Sequence, residues 1–231
     1  MIEQYSGGHL LVPETEIGRY LGYGKQEMDA ETKILCAECL ERLEKTVSYR
    51  ACRLRIPISV SGDEICLAQE KVKSRSLAKH LDGAAEALLM CATIGPVFDR
   101  ESERLMHISP ARAVIFGAAG TAAIEAWCDE LCRRWQQELG REGLFLTSRF
   151  SPGYGDLDIS FQPDLLRLTD AGRKAGVTLT QGGMMVPKKS VSAIIGLKKM
   201  ACTDERTSCE NCEMEDCAFC RIDRPRKGGK K

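Results

Sequence analysis

Residues 149–162 read RFSPGYGDLDISFQ, and residues 176–192 read GVTLTQGGMMVPKKSVS. The first stretch sets Arg149 three residues ahead of Pro152, with Tyr154 between Gly153 and Gly155. Proline and glycine bend the backbone here, so the segment is a loop. Such a loop is either an ordinary turn or a seat for a zwitterionic ligand. In the second case a guanidinium takes a carboxylate through two parallel bonds, backbone groups beside the glycine take polar edges, and the ring covers a flat base or a cation. The second stretch holds two strand-like segments, 177–180 and 190–197, on either side of QGGMMVPKK.

Working outward, a short helix at 163–175 stops at Gly176, and a short strand at 144–148 leads into the loop. Ser109-Pro110 opens the longest helix, an N-cap residue followed by proline at the first helical position. Helical spacing runs on through Ile115, Ala119, Ala122, Ala126 and Leu131 to Gly140. Trp127, Leu131 and Trp135 fall on its buried face, with Arg133, Arg134, Gln136 and Gln137 on its solvated one. Towards the N-terminus come a buried strand at 84–95, a helix at 76–81, and a stretch at 64–75 that reads as strand or helix. Residues 48–60 alternate Arg50, Arg53 and Arg55 with apolar neighbours, a half-exposed strand interrupted or ended by Pro57. A helix capped by Asp29 carries Ile34, Leu35, Leu40, Leu43 and Val47 towards one face, and 13–24 makes one or two helical turns before Gly22 and Gly24.

Several familiar chemistries are disfavoured. FGAAGTA (116–122) lacks the G-x-G pair of a dinucleotide turn and reads as small-residue packing inside a helix. GMMVPKKS (183–190) puts Lys188 where a phosphate loop needs its second glycine, and Pro187 removes a donor. Cys36 and Cys39 have redox spacing but lie mid-helix, away from an N-terminus that would favour a thiolate. Cys128 and Cys132 are expected to share a helix face. His9, His80 and His107 are isolated, which disfavours a histidine-based hydrolase. No corrinoid-ligand D-x-H-x-x-G sequence and no C-x-x-x-C-x-x-C run occurs.

The chain has 231 residues with 33 basic and 33 acidic side chains, and 29% of it is charged, an ordinary globular composition. The zero net charge divides unevenly: residues 224–231 carry five positive charges, leaving 28 basic against 33 acidic over 1–223. A body at −5 disfavours nucleic acid as its partner. The first twenty residues contain no apolar targeting segment, and the apolar stretches 84–96 and 111–127 are interrupted by charges, so a cytoplasmic protein with no membrane span is expected. Twelve cysteines then read as reduced thiols or metal ligands. Cys209, Cys212, Cys217 and Cys220, at C-x-x-C-x-x-x-x-C-x-x-C spacing, suit a tetrahedral zinc or an iron–sulfur cluster, with Cys202 as a spare.

The R-F-S-P-G-Y loop, followed some thirty residues later by G-V-T-L-T-Q-G-G-M-M-V-P-K-K-S-V-S, resembles the reactivation domain of cobalamin-dependent methionine synthase. That family has an R-x-x-x-G-Y loop, a helix, and an I-x-L-T-E-S-x-x-M-x-P-x-x-S-V-S stretch. The correspondence covers roughly 110–197. It departs at Gln181-Gly182-Gly183, where the family commonly has Glu-Ser and a bulky residue, and at Lys188-Lys189, where it often has small residues.

The resemblance implies an α+β fold, a curved and mainly antiparallel sheet with packed helices, over residues 1–200. The cysteine cluster at 201–223 and a basic disordered tail at 224–231 would be appended. It implies S-adenosylmethionine as ligand, with Arg149 on the methionyl carboxylate, Pro152, Gly153 and Tyr154 shaping the pocket, and Glu125 meeting the ammonium or another polar group. The chain would then be the activation subunit that supports reductive remethylation of cobalamin carried by a separate, corrinoid-bearing methionine synthase. Electrons would come from a donor such as a flavodoxin or ferredoxin. The alternative is a metal-stabilised interaction module with no catalytic part. A conventional methyltransferase is disfavoured, because the glycine-rich strand-to-helix turn of a doubly wound fold is missing.

Overall fold

The computed structural model describes residues 1–24 and 26–199. In chain order these form β1 (Ile2–Ser6), α1 (Glu14–Tyr20), α2 (Ala30–Thr46), β2 (Arg50–Ser61), β3 (Glu64–Leu67), β4 (Glu70–Lys73), α3 (Arg75–His80) and β5 (Glu86–Thr93). Then follow α4 (Pro96–Ile108), α5 (Pro110–Gly140), β6 (Phe145–Leu146), a 3-10 turn (Ile159–Phe161), α6 (Gln162–Leu168), α7 (Ala171–Lys174), β7 (Thr178–Leu179), β8 (Met185–Val186) and β9 (Ser190–Lys198). The main sheet runs β4-β3-β2-β5-β9-β6 with β1 beside β2, and its pairings are antiparallel. The expected antiparallel α+β architecture is therefore present.

The pleat sorts the core into two halves. On β9, Val191, Ala193, Ile195 and Leu197 face the cluster built from α1, α2, α4 and α5, while Ile194 faces the one built from α3, α6 and α7. The sheet is thus a middle layer between two sets of helices. No helix among the described residues is long and apolar enough to cross a membrane.

The long helix α5 starts at Pro110 as its sequence predicts and buries Trp127, Leu131 and Trp135. Trp127 donates its indole N–H to the Arg50 carbonyl at 3.2 Å, which ties α5 to β2. The FGAAGTA run is indeed a packing surface: Phe116 stacks on Phe98 of α4 at 4.6 Å, and a Cβ on Gly120 would sit 2.2 Å from the Phe98 ring. Cys128 is buried and Cys132 half-buried. Cys36 and Cys39 pack within α2, and burial pushes the Cys39 thiol up to about 11, so both are structural.

Several expectations need correction. Strand β2 passes through Pro57 to Ser61, because Ile58 N–H bonds Ala85 on the β5 side and the proline nitrogen falls on the opposite edge, between the ends of β1 and β3. Residues 64–75 form the β3–β4 hairpin and enter α3, which Ser74 caps through the Leu77 N–H at 3.0 Å. The helix expected at 163–175 breaks into α6 and α7 at Asp170, which has a φ of 51°. Ile34 lies on the exposed side of α2, whose buried stripe is Cys36, Cys39 and Leu43. Gln136 is not simply solvated: its amide bonds the Leu144 carbonyl and the Leu146 N–H, which holds β6 against α5.

Candidate functional site

The R-F-S-P-G-Y loop leaves the sheet at its β6 edge, through a local change of register. Phe145 and Leu146 pair with Lys198 and Leu197, and Thr147 N–H reaches the Gly196 carbonyl at 2.9 Å. Phe150 then pairs with Ile194 through two bonds of 2.9 and 2.8 Å. Ser148 and Arg149 together therefore stand opposite the single residue Ile195, a bulge of the kind that re-aims side chains. The Ser148 carbonyl accepts a bond from His80 Nε2 at 2.8 Å. Burial holds His80 below its ordinary range, and nearby Lys198 acts the same way. The His80 and Phe150 rings lie 5.2 Å apart, on the α3 side of the sheet.

Arg149 projects to the other side, against α5. Its Nη2 donates to Glu125 Oε2 at 2.8 Å and to Asp129 Oδ1 at 2.9 Å. Nη1 is buried and has no partner among the described residues. Two of the expected ligand residues, Arg149 and Glu125, are thus brought into one ion pair. Asp129 joins them, and sequence reasoning missed it. The available signal was its place four residues after Glu125, the spacing that stacks side chains on one helix face. Burial first, then the fields of Asp129 and Glu125, push the Cys132 thiol up to about 12.

The rest of the loop is a compact turn. Pro152 is buried, and Gly153, at a φ of 87°, donates its N–H to the Leu157 carbonyl at 2.8 Å. Tyr154 is 60% exposed and stands edge-on to Phe150 at 6.1 Å. It leans on that ring. Asp156 pins the turn to the start of α3, taking bonds from Ser74 Oγ at 2.6 Å and from the N–H groups of Arg75 and Ser76 at 2.9 and 3.0 Å. These donors hold its carboxyl far below the usual range. Asp156 is a second residue missed from sequence.

One turn before Glu125, Thr121 occupies the same stripe of α5. Its hydroxyl takes a 2.5 Å bond from Lys189 Nζ, at the entry to β9. Two surface hollows, of about 320 and 610 Å³, lie elsewhere: one between residues 7–12 and α2, the other between the end of β2 and α3 with the turn that follows it. The space before Glu125 is instead filled by the Arg149 guanidinium. No group of His, Cys, Asp and Glu suited to a metal ion occurs among the described residues. Cys202, Cys209, Cys212, Cys217 and Cys220, and the basic tail, lie outside them.

No protein-family profile matches the chain, and no curated protein matches it. Among solved structures it is similar to the crystal structure of the MetH reactivation domain bound to AdoHcy, with a TM-score of 0.62 and 15% sequence identity. The match covers 85% of this chain and 78% of that one. At this identity the likeness shows a shared fold.

Proposed function

We propose that this chain, which shares the fold of the MetH reactivation domain, binds S-adenosylmethionine beside α5 and presents its methyl group to the corrinoid of a separate methionine synthase. The observation that carries the reading is Arg149. A bulge fixes it between two acids, and one buried N–H face has no acceptor, as a group awaiting a carboxylate would have. The solved structure of similar fold holds AdoHcy, the molecule left when S-adenosylmethionine gives up its methyl group.

In this reading the partner's corrinoid, reduced by one electron from a flavodoxin or ferredoxin type of donor, is the methyl acceptor. The methyl carbon leaves the sulfonium as the new bond forms, and the electron pair of the broken bond stays on sulfur. No proton moves, so the chain needs no general base. Its residues bind and orient: Arg149 holds the carboxylate, Glu125 and Asp129 face the positive part of the ligand, and Pro152, Gly153 and Tyr154 shape the exposed rim. The Cys209, Cys212, Cys217 and Cys220 run supplies a zinc or iron–sulfur site that braces the chain or relays the electron.

Titration calorimetry of the full chain with S-adenosylmethionine tests the proposal. Binding is expected, and Arg149→Ala should weaken it by about ten- to a hundredfold, the loss of a charge-assisted bond pair. No binding by the wild type, or equal binding by the variant, overturns it.

A further inference from the structure

We infer that the hollow between residues 7–12 and α2 is a second binding site, for a small primary amine with an apolar body, seated on Tyr49 and held by Glu44. At about 320 Å³ it is at the small end of ligand sites. Local sequence builds its walls. Leu40, Leu43, Glu44 and Val47 fall at helical spacing on one stripe at the end of α2. The chain crosses opposite them after Gly7, where a side chain has no room: a Cβ there would lie 2.9 Å from Tyr49 Cβ and 2.9 Å from the Trp127 ring. Leu10 and Val12 complete the apolar lining. Trp127 separates this place from Arg149. Its ring centre is 5.5 Å from that of Tyr49, while Glu125 and Asp129, two residues to either side, turn to the far face of α5.

Three features give this apolar hollow a polar end. Tyr49 is only 5% exposed, yet its hydroxyl has no hydrogen-bond partner among the described residues and is not sealed from solvent; its open side is the hollow it lines. Glu44 Oε1 meets His9 Nε2 at 2.7 Å, and Glu44 Oε2 has no partner among the described residues. Along residues 8–12, no main-chain N–H or C=O is paired with another main-chain group of the described residues. The local field is negative: burial first, and then Glu44, push the Tyr49 hydroxyl up to about 12, so it stays a neutral O–H. An ammonium carries three donors, and Glu44 Oε2, the Tyr49 oxygen and a carbonyl of the 8–12 segment are three acceptors. The hydrocarbon of the ligand would then replace water against the leucines and valines. A carboxylate in the same place would meet Glu44 as a like charge.

The experiment is a heteronuclear NMR titration of the full chain with two probes of one shape and opposite charge, phenethylamine and hydrocinnamate. Phenethylamine at millimolar concentration should shift the amide signals of Gly7, Gly8 and Tyr49 saturably, and hydrocinnamate should bind far more weakly. Glu44→Gln should weaken phenethylamine by about tenfold, the loss of one charged hydrogen bond, and erase the preference between the probes. His9→Ala should strengthen it, because the carboxylate loses the partner that competes with the ammonium. Both side chains are exposed, so these variants keep the fold. Tyr49→Phe, which preserves the ring, should weaken phenethylamine several-fold. Absence of a saturable shift at those amides in the wild type, equal affinity for the two probes, or unchanged phenethylamine affinity in Glu44→Gln overturns the inference.

Discussion

His80 and Asp156 hold the two ends of the loop that carries Arg149, and both respond to acid in the same direction. His80 has a folded pKa below its unfolded value because burial disfavours the imidazolium. Its contribution is present above the unfolded pKa of about 6.5 and is lost as pH falls below it. Asp156 also has a lowered folded pKa, so its contribution is present above about pH 4 and is lost only in stronger acid. Two successive losses of ligand affinity on acidification are expected, the first readable by titration from about pH 7 to about pH 5 and the second only below about pH 4. His80→Gln should remove the first step while Asp156→Asn removes the second. Asp156 was invisible in the sequence for a physical reason. Its partners lie some eighty residues upstream at the start of α3, and no local pattern announces a bond over that separation.

At the scale of elements, α5 was the most legible part of the molecule, because Ser109-Pro110, the tryptophan stripe and Gly140 each act locally. The hairpin of β3 and β4 was not legible, since four-residue strands carry too few alternations to be told from a helix. Helix α4 drew no expectation, although Pro96 opens it and Phe98 and Leu105 mark its buried side. Val97, Phe98, Leu105 and Ile108 do fall on one side of a helix, so its periodicity was present in the sequence although only Phe98 and Leu105 are deeply buried. Its packing rests on Gly120. Gly120→Ala should cost about 1–3 kcal/mol, because the methyl cannot enter without moving the stacked Phe98 and Phe116 rings. Chemical denaturation measures this, and an unchanged midpoint would contradict the tight α4–α5 contact. The site divided in the same way. Arg149 and Glu125 were found by resemblance, whereas Asp129 and Thr121 needed the helix face to be seen against β9.

For the whole molecule, two kinds of cysteine are separated along the chain. Seven lie within the described fold, five of them buried, and all are unpaired thiols. The four at Cys209, Cys212, Cys217 and Cys220 have ligand spacing instead. Anaerobically purified protein should carry zinc or iron in stoichiometric amount, and Cys209→Ser with Cys212→Ser should release it while S-adenosylmethionine binding persists. Metal analysis alongside the calorimetric titration checks both halves of that statement, and metal-free wild-type protein would contradict it. The order in which the chain is made also matters. Strand β9, the last described element, lies between β5 and β6 and pairs Leu197 with Glu86 across more than a hundred residues. Closing so long a loop is slow and must precede its reward. Until it closes, the bulge that aims Arg149 has no partner and Lys189 has no helix to rest on. On the proposed reading, a half-synthesised chain cannot sequester the methyl donor, and competence to bind is acquired in one step when β9 closes.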